Sequence, residues 1–129
     1  MIPHISKKAK GGEDAYVSRE DLLVVADGVG GWIEVGVDPG LFSKALVRVI
    51  EELYLKNRTA TLKSMLIQAV QRVRHTGSST AVLAAMDVVN HQVIMRTCNL
   101  GDSGYVIFRA PGEGSNTTEQ LEVFFRSKE

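Results

Sequence analysis

The sequence has a single cysteine, no long apolar run and no net charge, and each absence excludes a class of protein. One cysteine, Cys98, cannot form a disulfide framework or a cysteine-based zinc cage. No apolar stretch approaches the ~20 residues that a membrane-spanning helix needs, and residues 1–4 lack the pattern of a secretory signal. Fifteen basic residues against 15 acidic ones leave no excess of positive charge for binding phosphate backbones. We therefore expect an intracellular protein with no membrane span and no nucleic-acid partner.

What the sequence does contain is the composition of a globular domain. Of the 129 residues 44% are hydrophobic and 23% are charged, which excludes wholesale disorder. A chain of this length removes roughly two-thirds of its unfolded surface from water on folding, enough for one domain. Cys98 lies in an apolar stretch and is expected to be a packed thiol.

The zero net charge hides a segregation along the chain. Residues 11–38 carry an excess of six negative charges, and residues 39–74 carry an excess of five positive charges. A run of charge usually means a solvated face. Carboxylates that flank an apolar strand repel one another unless cations or water separate them, so the acidic segment is also a candidate cation site.

The apolar pattern predicts two strands, two helices and then further strands. Residues 15–18 and 22–26 are predicted strands, and the second is apolar without alternation, which favours a strand covered on both faces. Helices are predicted from Pro39, with Asp38 as N-cap, to about residue 56, and over residues 61–74, with Gly77 as the stop signal. The second half reads as a meander with strands at 80–87, 92–99, 105–109 and 121–126. Grouped helices favour an α+β layered fold over a doubly wound sheet.

Acidic residues stand at the predicted strand ends. Asp27 follows a buried strand and precedes Gly28, so one cation could bind the carboxylate and the Gly28 carbonyl together. Glu13 and Asp14 are adjacent and point to opposite faces of a regular strand, so one could ligate directly and the other through water. Asp102 lies in a predicted turn. All-oxygen ligation of this kind suits Mg²⁺ or Mn²⁺, whereas each carboxylate taken alone is better explained as a turn former or cap.

Four short motifs together carry a resemblance. The strings are GEDA at 12–15, ADGVGGW at 26–32, GSSTA at 77–81 and NLGDSG at 99–104. In this order they resemble the metal-dependent protein phosphatase 2C family, and the stretches around them resemble its organelle-associated branch from plants and mitochondria. The resemblance implies an α-β-β-α sandwich and a chloroplast or mitochondrial location.

The resemblance also implies an activity and a set of ligands. The activity is that of a serine/threonine phosphatase, in which water activated by two or more Mg²⁺ or Mn²⁺ ions attacks a phosphoprotein substrate, with no protein nucleophile. Asp27 would bridge two metals, and the Gly28 carbonyl would ligate one of them. Glu13 would serve the second metal, with Asp14 acting mostly through water, and Asp102 would belong to an additional, weaker metal.

The sequence also departs from the family pattern. Ala9 stands where many members have a phosphate-gripping arginine, so Lys8 and Lys10 are the candidate phosphate contacts, although lysine lacks the bidentate fork of arginine. Val29 stands where those members have a histidine that could act as a general acid. The family draws further metal-binding aspartates from a C-terminal half, so residues 1–129 are predicted to form a partial phosphatase domain, its N-terminal portion.

Two alternatives to an active phosphatase follow from that departure. The chain could be a truncated, catalytically inactive module whose acidic cluster serves as an interaction or regulatory surface. It could also be an unstable fragment that exposes an apolar patch or an unpaired sheet edge.

Overall fold

The computed structural model describes Gly12, residues 14–109 and residues 122–127. In this part of the chain the elements follow the predicted order, with boundaries that differ by a few residues at most. A 3-10 helix, Gly30–Val35, follows the second strand. The strands and helices are β1 Asp14–Ser18, β2 Leu22–Asp27, α1 Pro39–Lys56, α2 Leu62–Arg72, β3 Ala81–Val89, β4 Gln92–Leu100, β5 Val106–Arg109 and β6 Glu122–Arg126.

The strands form two sheets instead of one continuous meander. The first sheet is antiparallel with the order β1-β2-β3-β4, and β5 pairs only with β6. After β4 the chain leaves the first sheet, since β5 does not pair with β4. The Tyr105 hydroxyl, just before β5, bonds the side chain of Thr97 in β4 at 2.6 Å. The predicted α+β layering is confirmed, and the meander is wrong at this one connection.

The core lies between the first sheet and the helices. Alternate residues of β1, β2 and β3 face α1 and α2, where they are buried with the apolar side chains of the helices. Cys98 packs against this core from β4, as expected for a packed thiol. No helix in the described residues is both long and apolar enough to cross a membrane. Among the described residues, the largest apolar side chains that are fully or almost fully buried are Leu22, Val24, Leu46, Ile50, Tyr54, Met65 and Leu83.

In the described residues the opposite face of the first sheet is largely open, so the prediction that the strand over residues 22–26 is covered on both faces is wrong there. Tyr16 in β1 is 66% exposed and Leu23 in β2 is 49% exposed. A continuous apolar stretch predicts apolar side chains on both faces of a strand, and β2 does carry apolar side chains on both of its faces. Coverage depends on a second layer, and in the described residues that layer consists of β5 and β6 over β4. A pocket of about 400 Å³ lies between them, lined by Val93, Met95, Thr97, Tyr105, Ile107 and Phe125.

Capping residues set the helix boundaries. The Asp38 side chain accepts a hydrogen bond from the Gly40 amide at 2.9 Å, which confirms the predicted N-cap of α1. Thr61 caps α2 in the same way through the Ser64 amide at 3.1 Å. The prediction that Gly77 stops α2 is wrong, because the helix ends at Arg72 with Val73 already extended. Gly77 instead lies against Phe42, where a Cβ atom would approach the Phe42 Cβ to 2.8 Å.

A charged network joins the helices to the sheet at the turn between β1 and β2. The Tyr54 hydroxyl donates to the Asp21 carboxylate at 2.9 Å, and Arg58 bonds the same carboxylate. Arg96 in β4 pairs with Asp87 at 2.6 Å and donates to the Ala60 carbonyl at 2.9 Å. These bonds hold the connection between α1 and α2 against one end of the sheet, opposite the end that carries Asp27.

The buried face of α1 should contribute strongly to the free energy of unfolding of the domain. Ile50 is fully buried, so Ile50→Ala should lower the free energy of unfolding by about 2–5 kcal/mol through lost burial and the cavity left behind. Chemical denaturation measures this value. Ile67→Ala in α2 is the matched control, because Ile67 is 49% exposed and should cost less than about 1 kcal/mol. Equal losses for the two variants would contradict the assigned core.

Tyr54 should make stability fall at alkaline pH. Burial raises the pKa of Tyr54 above its ordinary value of 10.0, and the hydrogen bond to Asp21 raises it further. As the pH rises through about 10, the unfolded chain therefore loses this proton first, and the folded state becomes less favoured. Tyr54→Phe removes the contribution of this hydroxyl to the pH dependence, so its free energy of unfolding should fall less steeply than that of the wild type as the pH rises through and above about 10. Denaturation at stepped pH measures both slopes, and parallel curves would contradict the prediction.

Candidate metal centre

Two carboxylates face each other at one end of the first sheet. Asp14 opens β1 and Asp27 closes β2, and the antiparallel register places them directly opposite one another. Cross-strand partners project to the same face with Cβ atoms roughly 5 Å apart. The buried neighbours Ala15 and Ala26 face the helices, so the two carboxylates lie on the open face. Like charges in this position repel, and a bound cation would remove that cost.

Strand β2 ends in a way that brings its backbone to the site. Gly28 is buried and forms an isolated antiparallel bridge with Ser79. The Val29 amide then donates to the Ser78 carbonyl at 3.0 Å. The residues just before β3 therefore continue the ladder past Asp27 and fix the direction of the chain at Gly28.

The turn that holds Asp102 is tied to Asp27 through one side chain. Thr80 donates its amide to the Asp27 carbonyl at 3.0 Å, and its Oγ1 accepts the Asp27 amide at 3.3 Å. The same Oγ1 lies 2.7 Å from the Ser103 Oγ. Gly101, at φ +95°, comes so close to Thr80 that a Cβ atom would lie 2.8 Å from the threonine methyl. Only glycine permits both this backbone angle and this approach.

The first turn of α1 also reaches the acidic end of β1. A Cβ atom on Gly40 would lie 2.5 Å from the carbonyl oxygen of Gly12, which is two residues before Asp14. A side chain at Gly40 would therefore displace the backbone that leads into β1. The N-terminus of α1 also carries partial positive charge, which favours acidic residues nearby.

The structure brings together some of the predicted site residues. Asp14, Asp27 and Gly28 share one end of the sheet, and the turn of Asp102 is joined to it by hydrogen bonds. Within residues 14–109 and 122–127, no three acidic, histidine or cysteine side chains are close enough to hold a metal together. Glu13, Lys8 and Lys10 lie outside the described residues.

The donor set fits a hard divalent cation. Two carboxylates and a backbone carbonyl supply oxygen, which Mg²⁺ and Mn²⁺ prefer. Mg²⁺ keeps several waters and is commonly held by only one or two carboxylates plus substrate phosphate. A pair of carboxylates beside the open face meets that requirement.

Thr80, Ser103 and Gly40 were not assigned a role from the sequence. Thr80 lies in the motif at 77–81 and Ser103 in the motif at 99–104. The motifs therefore place both residues in functional stretches of the sequence without indicating what each does. Their contacts depend on the pairing of β2 with the residues before β3, which a single sequence does not show.

Comparison with known proteins agrees with this geometry. The chain is 39% identical over 127 residues to the protein phosphatase PTC7 homolog of Xenopus laevis, covering 90% of this chain and 42% of that protein. It is 39% identical over 136 residues to the probable protein phosphatase 2C 80 of Arabidopsis thaliana, covering 94% and 32%. It is 37% identical over 134 residues to the human PTC7 homolog, covering 95% and 43%. No family model matches the chain.

A solved structure shares the fold. The X-ray structure of the photosystem II phosphatase PBCP matches with a TM-score of 0.77 and 28% identity, over 98% of this chain and 47% of that one. The chain thus spans less than half the length of these relatives. Sequence and fold agree with the four motifs, and the chain matches the N-terminal half of phosphatases of the protein phosphatase 2C family.

Proposed function

We propose that this chain carries the metal-binding part of a serine/threonine phosphatase that hydrolyses phosphoserine and phosphothreonine esters in proteins. The placement of Asp14 directly opposite Asp27, beside the Gly28 backbone, carries the proposal. The relatives support it, because they are named protein phosphatases. The alternative of an inactive regulatory module is an outcome of the test below.

The proposed ligands divide between two strands and one turn. Asp27 would bridge two cations, with the Gly28 carbonyl on one of them. Glu13 would serve the other, with Asp14 acting mostly through water, and Asp102 would hold an additional, weaker ion. The support is the shared end of the sheet for Asp14, Asp27 and Gly28 and the bonded turn for Asp102. For Glu13 the support is its position in the chain, one residue before Asp14.

The residues of the chain have separate tasks in this proposal. Bound Mg²⁺ or Mn²⁺ supplies activation of water and offsets charge on the phosphoryl oxygens. The chain supplies the carboxylates and fixes their separation through the pairing of β1 with β2. Lys8 and Lys10 are the proposed contacts to substrate phosphate, as point charges.

The substrate and the location are proposals of the same kind. Phosphoproteins are the substrate class that the names of the relatives indicate. A solved structure with this fold is that of a photosystem II phosphatase, which supports an intracellular location in a chloroplast. The alternative of a mitochondrion rests on the resemblance of the motifs.

Asp27 is the residue whose loss should affect function most. Asp27→Asn keeps the shape of the side chain but removes the charge that a bridging ligand needs. Mn²⁺ binding by calorimetry should weaken at least about 10-fold, and Mn²⁺-dependent hydrolysis of a phosphothreonine peptide should fall at least as much.

Glu52→Gln is the control for this change. Glu52 is exposed on α1, so loss of its charge should alter neither measurement. Full activity and wild-type Mn²⁺ affinity in Asp27→Asn would show that Asp27 is not the bridging ligand. A wild-type chain that binds no Mn²⁺ up to millimolar concentration would favour the inactive module.

A further inference from the structure

We propose that Thr80 is a positioning residue that couples the Asp27 metal site to the turn carrying Asp102. The inference deepens the proposed function and rests on it. It concerns a side chain that holds no metal itself and that acts through the backbone of Asp27 and through Ser103.

Thr80 holds Asp27 from the side of β3. Its amide and its hydroxyl bond the carbonyl and the amide of Asp27, at 3.0 and 3.3 Å respectively. The Cα partners of the β2–β3 ladder run from Leu22↔Ala85 to Val25↔Val82. The bonds of Thr80 therefore extend this pairing to the residue that carries the carboxylate. Removal of the hydroxyl would break the bond that Thr80 accepts from the Asp27 amide.

The same hydroxyl reaches the second loop. Thr80 Oγ1 lies 2.7 Å from Ser103 Oγ, and a hydroxyl oxygen can accept one bond while its own proton donates another. It can therefore accept the Asp27 amide and bond Ser103 at the same time. The Ser103 carbonyl is fixed in turn by the Asn99 side-chain amide at 2.6 Å. A single oxygen atom thus joins the backbone of Asp27 to the residue that follows Asp102.

The methyl group of Thr80 limits the position of the same turn. It lies against Gly101, where no Cβ atom could be accommodated without movement. The hydroxyl holds the turn of residues 101–103 near β2 through its bond to Ser103. The methyl contacts Gly101 and so limits how closely that turn can approach β2. Loss of a partner that hydrogen-bonds a ligating group typically weakens metal affinity by roughly 10–100-fold. Thr80 bonds the backbone of Asp27 and not its carboxylate, so we expect an effect at the lower end of that range.

The test uses the full 129-residue chain and Mn²⁺ as the probe. Thr80→Val keeps the methyl and removes the hydroxyl, so Mn²⁺ affinity by calorimetry should fall about 10-fold. Thr80→Ser keeps the hydroxyl and should stay within about 3-fold of the wild type. Ser103→Ala removes only the link to the turn and should weaken binding less than Thr80→Val does. Metal-free melting curves show whether each variant folds.

Thr97→Val is the matched control. Thr97 also lies in the first sheet with its hydroxyl bonded to another side chain, the Tyr105 hydroxyl at 2.6 Å. Its loss should change the melting temperature without changing Mn²⁺ affinity. If Thr97→Val weakens binding as much as Thr80→Val, the effect is general destabilisation and the proposal is wrong.

The remaining outcomes separate this inference from the proposed function. If Asp27→Asn weakens Mn²⁺ binding while Thr80→Val binds as the wild type does, only the positioning role is overturned. If the wild type does not bind Mn²⁺, the proposed function fails and the inference fails with it. If Thr80→Val does not fold, Ser103→Ala decides the matter, because wild-type affinity in that variant overturns the coupling.

Discussion

Strand β2 is the element on which the rest of the structure depends. It pairs with β1 on one side and β3 on the other, and its inward residues Leu22, Val24 and Ala26 form the floor of the core. Because its register is fixed by burial on the helix face, the face to which Asp27 projects is fixed too: a slip of one residue would bury the carboxylate and expose the apolar set. The hydrophobic core and the acidic site are therefore specified by the same register.

The two ends of the first sheet have different tasks. At the β1–β2 turn, Asp21, Tyr54 and Arg58 join the helical layer to the sheet by bonds that are satisfied within the chain. At the other end, Asp14 in β1 and Asp27 in β2 are direct cross-strand partners. The acidic residues of the early chain thus have different roles: Asp21 and Asp38 stabilise the fold through a hydrogen-bond network and a helix cap, whereas Asp14 and Asp27 are the proposed cation ligands. This division explains why charge segregation alone is a weak guide to function.

The open face links the fold to its family. The helices cover one side of the first sheet, and β5 with β6 begins a second sheet over β4. The match to a solved phosphatase covers 47% of that chain, so the chain has the helical layer, the first sheet and the start of the next layer of a sandwich. The acidic pair lies on the side of the first sheet where the second sheet begins.

The sequence by itself determined the element order, the α+β class, the cap at Asp38 and, through four short motifs, the family. These follow from local patterns: apolar spacing, capping residues and glycine-rich strings. Tertiary structure decided which strand face is covered, why Gly77 packs on Phe42 instead of ending α2, and where β5 leaves the sheet. It also decided that Thr80 joins Asp27 to the turn of Asp102. The contacts of Thr80 and of Gly77 join residues more than 20 positions apart. Their geometry depends on strand register and on how the layers pack, which no local pattern encodes.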